Sequence, residues 1–241
     1  MQETLNGIVL NIIKHSDRTS IVRIYTDRHG LMAFAVPQGA TKGARARNAM
    51  LMPLSLVEMV ATIKPGRDLH TMRDLRRTYP LTTIYADPFK NAVAMFMCEL
   101  LSHTIQEREP NEHLFTYVST AVKLLEQSVQ SVANFHICFM YRLGVFLGIQ
   151  PDATGYNEGY WFDMDGGVFV KVPSGGGHCL RPDEARIIGL LSRMTFSNHH
   201  LFRFSREQRN QVLDTAMAYF RIHNSSVGTM RSPEVLKQLF I

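Results

Sequence analysis

The chain has 241 residues, 45% hydrophobic and 20% charged, which is ordinary globular composition with room for one large domain or two small ones. Its formal charge of +5 is unevenly placed: residues 1 to 80 hold 12 Lys+Arg against 6 Asp+Glu, and the remaining 161 hold 14 against 15. That asymmetry points to a localised anionic partner for the N-terminal third rather than general stickiness. The longest apolar run, Ala92 to Cys98, is too short to span a membrane, and the N-terminus lacks the features of a secretory signal. Three widely spaced cysteines, Cys98, Cys138 and Cys179, suit free thiols, so a cytoplasmic location is expected.

Short β-like runs broken by turn residues occupy Thr4 to Tyr79. Thr4 to Ile13 and Ser20 to Thr26 read as two strands joined by the polar HSDRT hairpin, and a turn at Asp27 to Gly30 leads into a third strand, Leu31 to Val36. The segment Pro37 to Asn48, PQGATKGARARN, reads as a basic loop: its small residues allow close backbone approach, and Lys42, Arg45 and Arg47 have no acid among them. An apolar run from Met50 to Ile63, a turn at Lys64-Pro65-Gly66-Arg67 and a strand from Leu69 to about Tyr79 complete five strands. Five strands in about 80 residues with one longer basic loop have the content of an OB-type barrel, with an SH3-like barrel a near alternative.

After Tyr79-Pro80 the period becomes helical. Asp87-Pro88 predicts an N-cap followed by Pro at N1, with Val93, Phe96, Met97, Leu100, Leu101 and Thr104 on one face. Asn111 caps a second helix, and a third, from about Ser131 to Leu147, is apolar almost all round and so expected at the centre of a bundle; Gly148 ends it. Residues 152 to 182 lose helical character and read as a glycine-rich hairpin insertion. Helical periodicity returns over Asp183 to Met194 and Ser205 to about Ile222, and Ser232-Pro233-Glu234 opens a last helix.

The fold expected is therefore α+β: an OB barrel over 1–80, then a helical domain over 81–241 carrying the hairpin at about 152–182. Nucleic-acid binding is assigned to Arg23, Lys42, Arg45, Arg47, Arg67, Arg73, Arg76 and Arg77, with Tyr25, Phe34 and Tyr79 near enough to stack on bases, although Phe34 also suits the core. Each Arg alone is better explained as a solvated surface cation; the set is what carries the reading.

Metal and catalytic patterns are weaker. The chain has no C-x-x-C pair, Asp163-x-Asp165-x-Gly167 meets Ser174 where a calcium loop needs its bidentate Glu, and His199-His200 reads as a surface loop. Gly175-Gly176-Gly177 lacks the Lys-Ser/Thr of a P-loop, His178-Cys179 lacks an elbow or oxyanion motif, and Glu99, Glu107 and Glu109 fit a solvated face, so no cofactor and no catalytic residue is assigned. Arg142 interrupts the apolar third helix; it either snorkels or holds the carboxylate of an acidic peptide tail beside an apolar groove.

Several short motifs, taken together, resemble the RecO recombination mediators of bacterial DNA repair. They are Tyr25 to Gly30, followed by a strand, Gly39-Ala40 and the Lys42 to Arg47 run; Glu99-Leu100-Leu101 with Glu109 and Leu114-Phe115; Leu147-Gly148 before Pro151; and Arg231-Ser232-Pro233-Glu234-Val235-Leu236. The resemblance implies an OB-fold, a helical domain, binding to single- and double-stranded DNA, and partnership with RecR and with the acidic C-terminal tail of the single-stranded-DNA-binding protein SSB. It further implies strand annealing and help in loading the RecA recombinase, without covalent chemistry. Many members of that family carry a four-cysteine zinc site after the central helix. Here that region keeps only Cys179, so a zinc-less hairpin held around Trp161 and Phe162 is expected. A protein adaptor that does not bind DNA and a metal-dependent hydrolase using Asp163, Asp165 and His178 are the alternatives.

Overall fold

Residues 1–64, 66–106, 109–173 and 177–240 are described by the structure, a computed structural model. The expected turn residue Pro65, Glu107 of the expected solvated face, Ser174, and Gly175 and Gly176 of the glycine run lie outside them. Chain contacts separate two compact units, residues 1–127 and 128–241.

In the first unit β1 (Gln2–Lys14), β2 (Thr19–Thr26), β3 (Gly30–Pro37), β4 (Leu56–Thr62) and β5 (Leu69–Arg77) close a barrel in the order β1-β2-β3-β5-β4. Closure depends on β1 serving two neighbours, since Gly7 pairs with Thr26 on one side and Val57 on the other. A Cβ on Gly7 would stand 2.4 Å from Ile24 Cγ2, so the bend admits only glycine there. Alternate residues of β2 and β3 point inward, and Val22, Ile24, Met32, Phe34 and Val36 meet Leu5, Val57 and Met59 in the core. The weakest join is the parallel β3–β5 pair, held only at Ala33 with Leu69 and Phe34 with His70.

The segment expected as a basic loop is instead largely helical: α1 runs over Lys42–Met50. The hydroxyl of Thr41 accepts the Ala44 amide at 3.2 Å, and Ala44, Ala46 and Ala49 alternate with arginines of high helix propensity. Gly39 and Gly43 suggested a loop, but Gly43 is solvent-exposed inside the first turn and its cost is outweighed by those neighbours. A helix this short is marginal alone. It is fastened by Arg47, which donates to the Pro37 carbonyl, by Arg77, which donates to the Ala49 carbonyl, and by burial of Ala44 and Leu51.

The first unit continues past the barrel through α2 (Thr83–Ala86), α3 (Pro88–Thr104) and α4 (Glu112–Gln127). Asp87 and Asn111 cap α3 and α4 as expected, accepting the Phe89 and Leu114 amides at 2.8 and 2.9 Å. α3 is buried on nearly every side rather than on one stripe, and Tyr25 is covered by Phe115 and donates to the Asn111 carbonyl. Compaction therefore carries well beyond residue 80, where the sequence pattern changes.

The second unit holds α5 (Phe135–Phe146), a three-stranded sheet of β6 (Trp161–Asp163), β7 (Val168–Val170) and β8 (Cys179–Leu180), then α6 (Pro182–Ser192), a 3₁₀ turn at His199–Leu201, α7 (Arg206–His223) and α8 (Ser232–Leu239). The expected hairpin is thus extended by a third strand, in the order β7-β6-β8. Phe162 is fully buried against Phe169 and Tyr219, which ties this sheet to α7. His199 is buried at 3% exposure, not on a surface loop, because Asn134 donates to its carbonyl and its ring meets Phe135 edge-on. The cap of α8 falls on Arg231, one residue before the expected Ser232.

Candidate nucleic-acid interface

The eight assigned cations fall into two groups on the barrel. α1 packs on β5, joined by the Arg77–Ala49 contact, so Lys42, Arg45, Arg47, Arg76 and Arg77 share one region. Lys42 and Arg45 are exposed one helical turn apart, Arg45 being steadied by a 3.1 Å bond from Nε to the Ala40 carbonyl. The hydrogen bonds of Arg47 and Arg77 go to uncharged carbonyls and leave their charge available to an anion.

Arg73 and Arg76 are three apart in β5, a spacing that places side chains on opposite faces of a regular strand. Both are nevertheless exposed, because their partners on β4, Val60 and Glu58, are two apart and β5 carries an extra residue as a bulge. Asp74 absorbs it at φ 53°, a left-handed conformation that short polar residues tolerate better than branched ones. Arg73 donates to Gln2 at 2.8 Å and lies 3.7 Å from Asp74; Arg76 donates to Glu58 at 2.7 Å. Among the described residues of this group, Lys42, Arg45, Arg47 and Arg77 have no carboxylate partner, so within it these four supply the uncompensated charge.

Arg23 and Arg67 lie apart from that group. Arg23 stands on the outer face of β2, opposite Ala33 of β3, and Arg67 is exposed in the β4–β5 connection. Beside Arg23 a groove of about 640 Å³ follows the β3–β5 seam, lined also by His29, Leu31, Ala33, Ile63, Asp68 and His70 of the barrel and by Ser102 and Gln106 at the end of α3. His29 lies 2.8 Å from Glu3, and this contact leads in holding the Glu3 carboxyl below its usual range. Of the expected stacking residues, Tyr25 and Phe34 are buried at 1% and 0% exposure and cannot meet a base; Tyr79 is half-buried and accepts from Gln127.

Sequence reasoning passed over Arg18 in the β1–β2 turn and Lys64 in the β4–β5 connection, both exposed. The Arg18 carbonyl accepts the Gln38 amide at 2.8 Å, which sets that turn beside the approach to α1. An OB barrel brings these two connections to the β2–β3 face, so the expected fold already contained the signal. Nothing in the sequence marked Ser102 or Gln106.

In the second unit Arg142 donates from Nε and Nη2 to the Met194 carbonyl at 3.1 and 2.7 Å, and to Ser192 at 3.3 Å. These carbonyls lie at the last residue of α6 and just beyond it, where helical partners run out, so the cation supplies donors to a helix C-terminus. In the small sheet Asp165 accepts the His178 amide at 2.9 Å and lies 3.1 Å from its ring, and the amide bond leads in holding the Asp165 carboxyl below its usual range. Cys179 pairs in register with Asp163. Among the described residues no three His, Cys, Asp or Glu side chains converge, so the residues present do not fit a zinc site.

Comparison with known proteins covers almost the whole chain. Residues 1–80 match the family model for the Recombination protein O N terminal, and residues 85–226 match that for the Recombination protein O C terminal. Among curated proteins, the DNA repair protein RecO of Phocaeicola vulgatus is 35% identical over 240 residues, covering 100% of this chain and 99% of that one. DNA repair protein RecO of Bacteroides fragilis is 35% identical over 241 residues, with the same coverage, and that of Porphyromonas gingivalis is 32% identical over 238, covering 97% of each chain.

Proposed function

The chain belongs to the RecO family of DNA repair proteins, and we propose that it acts in repair as a non-enzymatic mediator that binds single- and double-stranded DNA and anneals complementary strands. The observation that carries this reading is the group on α1 and β5, in which Lys42, Arg45, Arg47 and Arg77 present charge without a carboxylate partner among the described residues. Cations so placed neutralise phosphates on two strands at once and lower the repulsion that opposes pairing. Arg23, Arg67, Arg73 and Arg76 extend the surface that a strand follows.

On the same reading RecR and the acidic tail of SSB are the protein partners, Arg142 is the cation offered to the tail carboxylate, and RecA is served indirectly through loading on SSB-coated DNA. The site of action is the cytoplasm. No helix is long and apolar enough to cross a membrane among the described residues.

Annealing of complementary SSB-coated strands by the purified protein tests DNA binding and partner engagement together. The Arg45→Glu/Arg47→Glu double variant is expected to lose annealing while keeping its barrel. If the double variant anneals as well as the parent, the barrel is an adaptor surface and the DNA-binding reading fails.

A further inference from the structure

Arg76 and Arg77 are consecutive in β5 but are held by different chemistry. Arg76 is paired with the Glu58 carboxylate, whereas Arg77 donates from Nη2 to the Ala49 carbonyl in the last turn of α1, where helical partners run out. Its Nε is enclosed by protein without a hydrogen-bond partner. Nη1 is neither enclosed nor bonded among the described residues, so it is the donor left for an anion. The guanidinium carbon stands 5.9 Å from the centroid of the Tyr85 ring. A ring face attracts a cation without cancelling its charge, and the attraction grows as water is excluded.

Tyr85 comes from outside the barrel. It lies on the four-residue α2, and its hydroxyl donates to the Pro53 carbonyl at 2.9 Å and meets Ser55 Oγ at 3.0 Å, in the turn that leads into β4. So short a helix does not hold itself. Its start is fixed instead by the Glu126 carboxylate, which takes the Thr82, Thr83 and Ile84 amides, and by the Lys90 ammonium, which donates to Thr83 Oγ1 at 2.8 Å and to the Glu126 carbonyl at 2.9 Å. The ring beside Arg77 is thereby anchored through its hydroxyl and its backbone alike.

We infer that Tyr85 is a positioning residue for DNA binding: its ring fixes the Arg77 guanidinium at the α1–β5 junction with Nη1 ready for a backbone phosphate. The inference rests on the DNA-binding reading above and deepens it. An arginine that is free in solution gives up rotamer freedom when it meets a phosphate, and one already fixed gives up less, so the same contact binds more tightly. Glu58 fixes Arg76 at the expense of its charge; the Tyr85 ring leaves the charge of Arg77 intact. A residue beyond the five strands thus sets what a cation of the barrel contributes.

The test uses the full-length protein with a single-stranded oligonucleotide and its blunt duplex, affinities being read across a salt series and the melting temperature recorded for each variant. Tyr85→Leu is expected to weaken both complexes about fivefold. Arg77→Gln should weaken them at least as much and make the slope of log affinity against log salt shallower by about 0.7 on single strands. The double variant Tyr85→Leu/Arg77→Gln should bind no more weakly than Arg77→Gln alone, because Tyr85 acts through Arg77. Tyr85→Phe loses the bonds to Ser55 and Pro53 but keeps the ring, so it should melt below the parent and yet recover most of the affinity lost in Tyr85→Leu. A purely structural role would not separate the two readouts. Losses that add in the double variant, parental affinity in Tyr85→Leu, or a Tyr85→Phe affinity as low as that of Tyr85→Leu overturns the positioning role and leaves the phosphate reading standing. Parental affinity in Arg77→Gln overturns it too, with the other cations carrying the binding. Absence of salt-dependent binding by the parent overturns the DNA-binding reading itself. If Tyr85→Leu does not fold, Tyr85→pentafluorophenylalanine takes its place: that ring has a similar shape but a depleted face, so it should bind severalfold more weakly than Tyr85→Phe, and equal affinity overturns the role.

Discussion

Arg76 Nε lies 2.7 Å from Glu58 Oε1 across the β4–β5 ladder, so one of the β5 arginines is already neutralised by its neighbour. The adjacent Arg77 is held by an uncharged carbonyl of α1 instead. Two consecutive cations in one strand therefore differ in what they can give to a phosphate. Exposed pairs of this kind exchange partners readily, because water screens them.

On the proposed DNA-binding reading, the Arg76 pair would make Glu58 a restraint on affinity. Glu58→Gln is expected to raise affinity for single strands severalfold and to steepen the slope of log affinity against log salt by about 0.7, the increment for one more phosphate contact. Arg76→Gln should weaken binding less than Arg45→Gln does. Filter or fluorescence titrations across a salt series check both, and an Arg76→Gln loss equal to that of Arg45→Gln would contradict the pairing.

For the parent protein, about five phosphate contacts predict a slope near −3 to −4 on single strands. A flat salt response would remove the electrostatic account altogether. The Arg45→Glu/Arg47→Glu variant should flatten the slope with the barrel retained, but it also removes the Arg47–Pro37 contact that fastens α1, so Lys42→Glu/Arg45→Glu, which spares that contact and keeps the Thr41 cap, is the variant expected to flatten the slope with parental circular dichroism.

Glu126 sits at the end of α4 and accepts the amides of Thr82, Thr83 and Ile84 at 2.9, 2.8 and 2.9 Å, capping the start of α2 from a distant part of the chain. Burial opposes its charge but is outweighed by these donors, and its pKa is lowered from 4.5 to about 2. A depressed carboxyl stabilises the fold above its unfolded pKa, and that stability drains away as pH falls from about 4.5 towards about 2. At neutral pH the contribution is on the order of 3 kcal/mol. Glu126→Gln should lower the unfolding free energy by a comparable amount at pH 7 and lessen its fall over that acid window, as read by denaturant titration at stepped pH.

Asp74 at φ 53° predicts an asymmetric tolerance. Asp74→Gly should be neutral or slightly stabilising, whereas Asp74→Val should cost about 1–2 kcal/mol, because a branched side chain is poorly accommodated in the left-handed region. Thermal unfolding of the two variants distinguishes them. Disruption of the bulge should also turn Arg73 or Arg76 off the outer face, so Asp74→Val is expected to weaken DNA binding.

Removing Arg142 takes donors from the Met194 and Ser192 carbonyls, so Arg142→Ala should cost about 1–3 kcal/mol of stability. Its effect on an acidic SSB-tail peptide is measured well below the lowered melting temperature. Unchanged peptide affinity there would end the assignment of Arg142 to the tail.

Local chemistry was legible in the sequence wherever neighbours in the chain decide the outcome. Asp87 before Pro88, Asn111 before Leu114 and Gly148 after the central helix act through one or two turns, and all three do in the structure what their residue types predict. The β-branched runs of the first 80 residues likewise carried the five strands and the uneven charge, since alternation and sign are properties of the chain itself. Tertiary structure alone decided the rest. α1 is a helix because Arg47 and Arg77 close on carbonyls 10 and 28 residues away, and Tyr25 is buried because α4 folds over it. Arg73 and Arg76 share a face only because β4 pairs across a bulge, and Glu58 removes one of them from the charge available. Such long-range pairings leave no periodic trace, which is why the set of basic residues could be read from the sequence but the free members of that set could not.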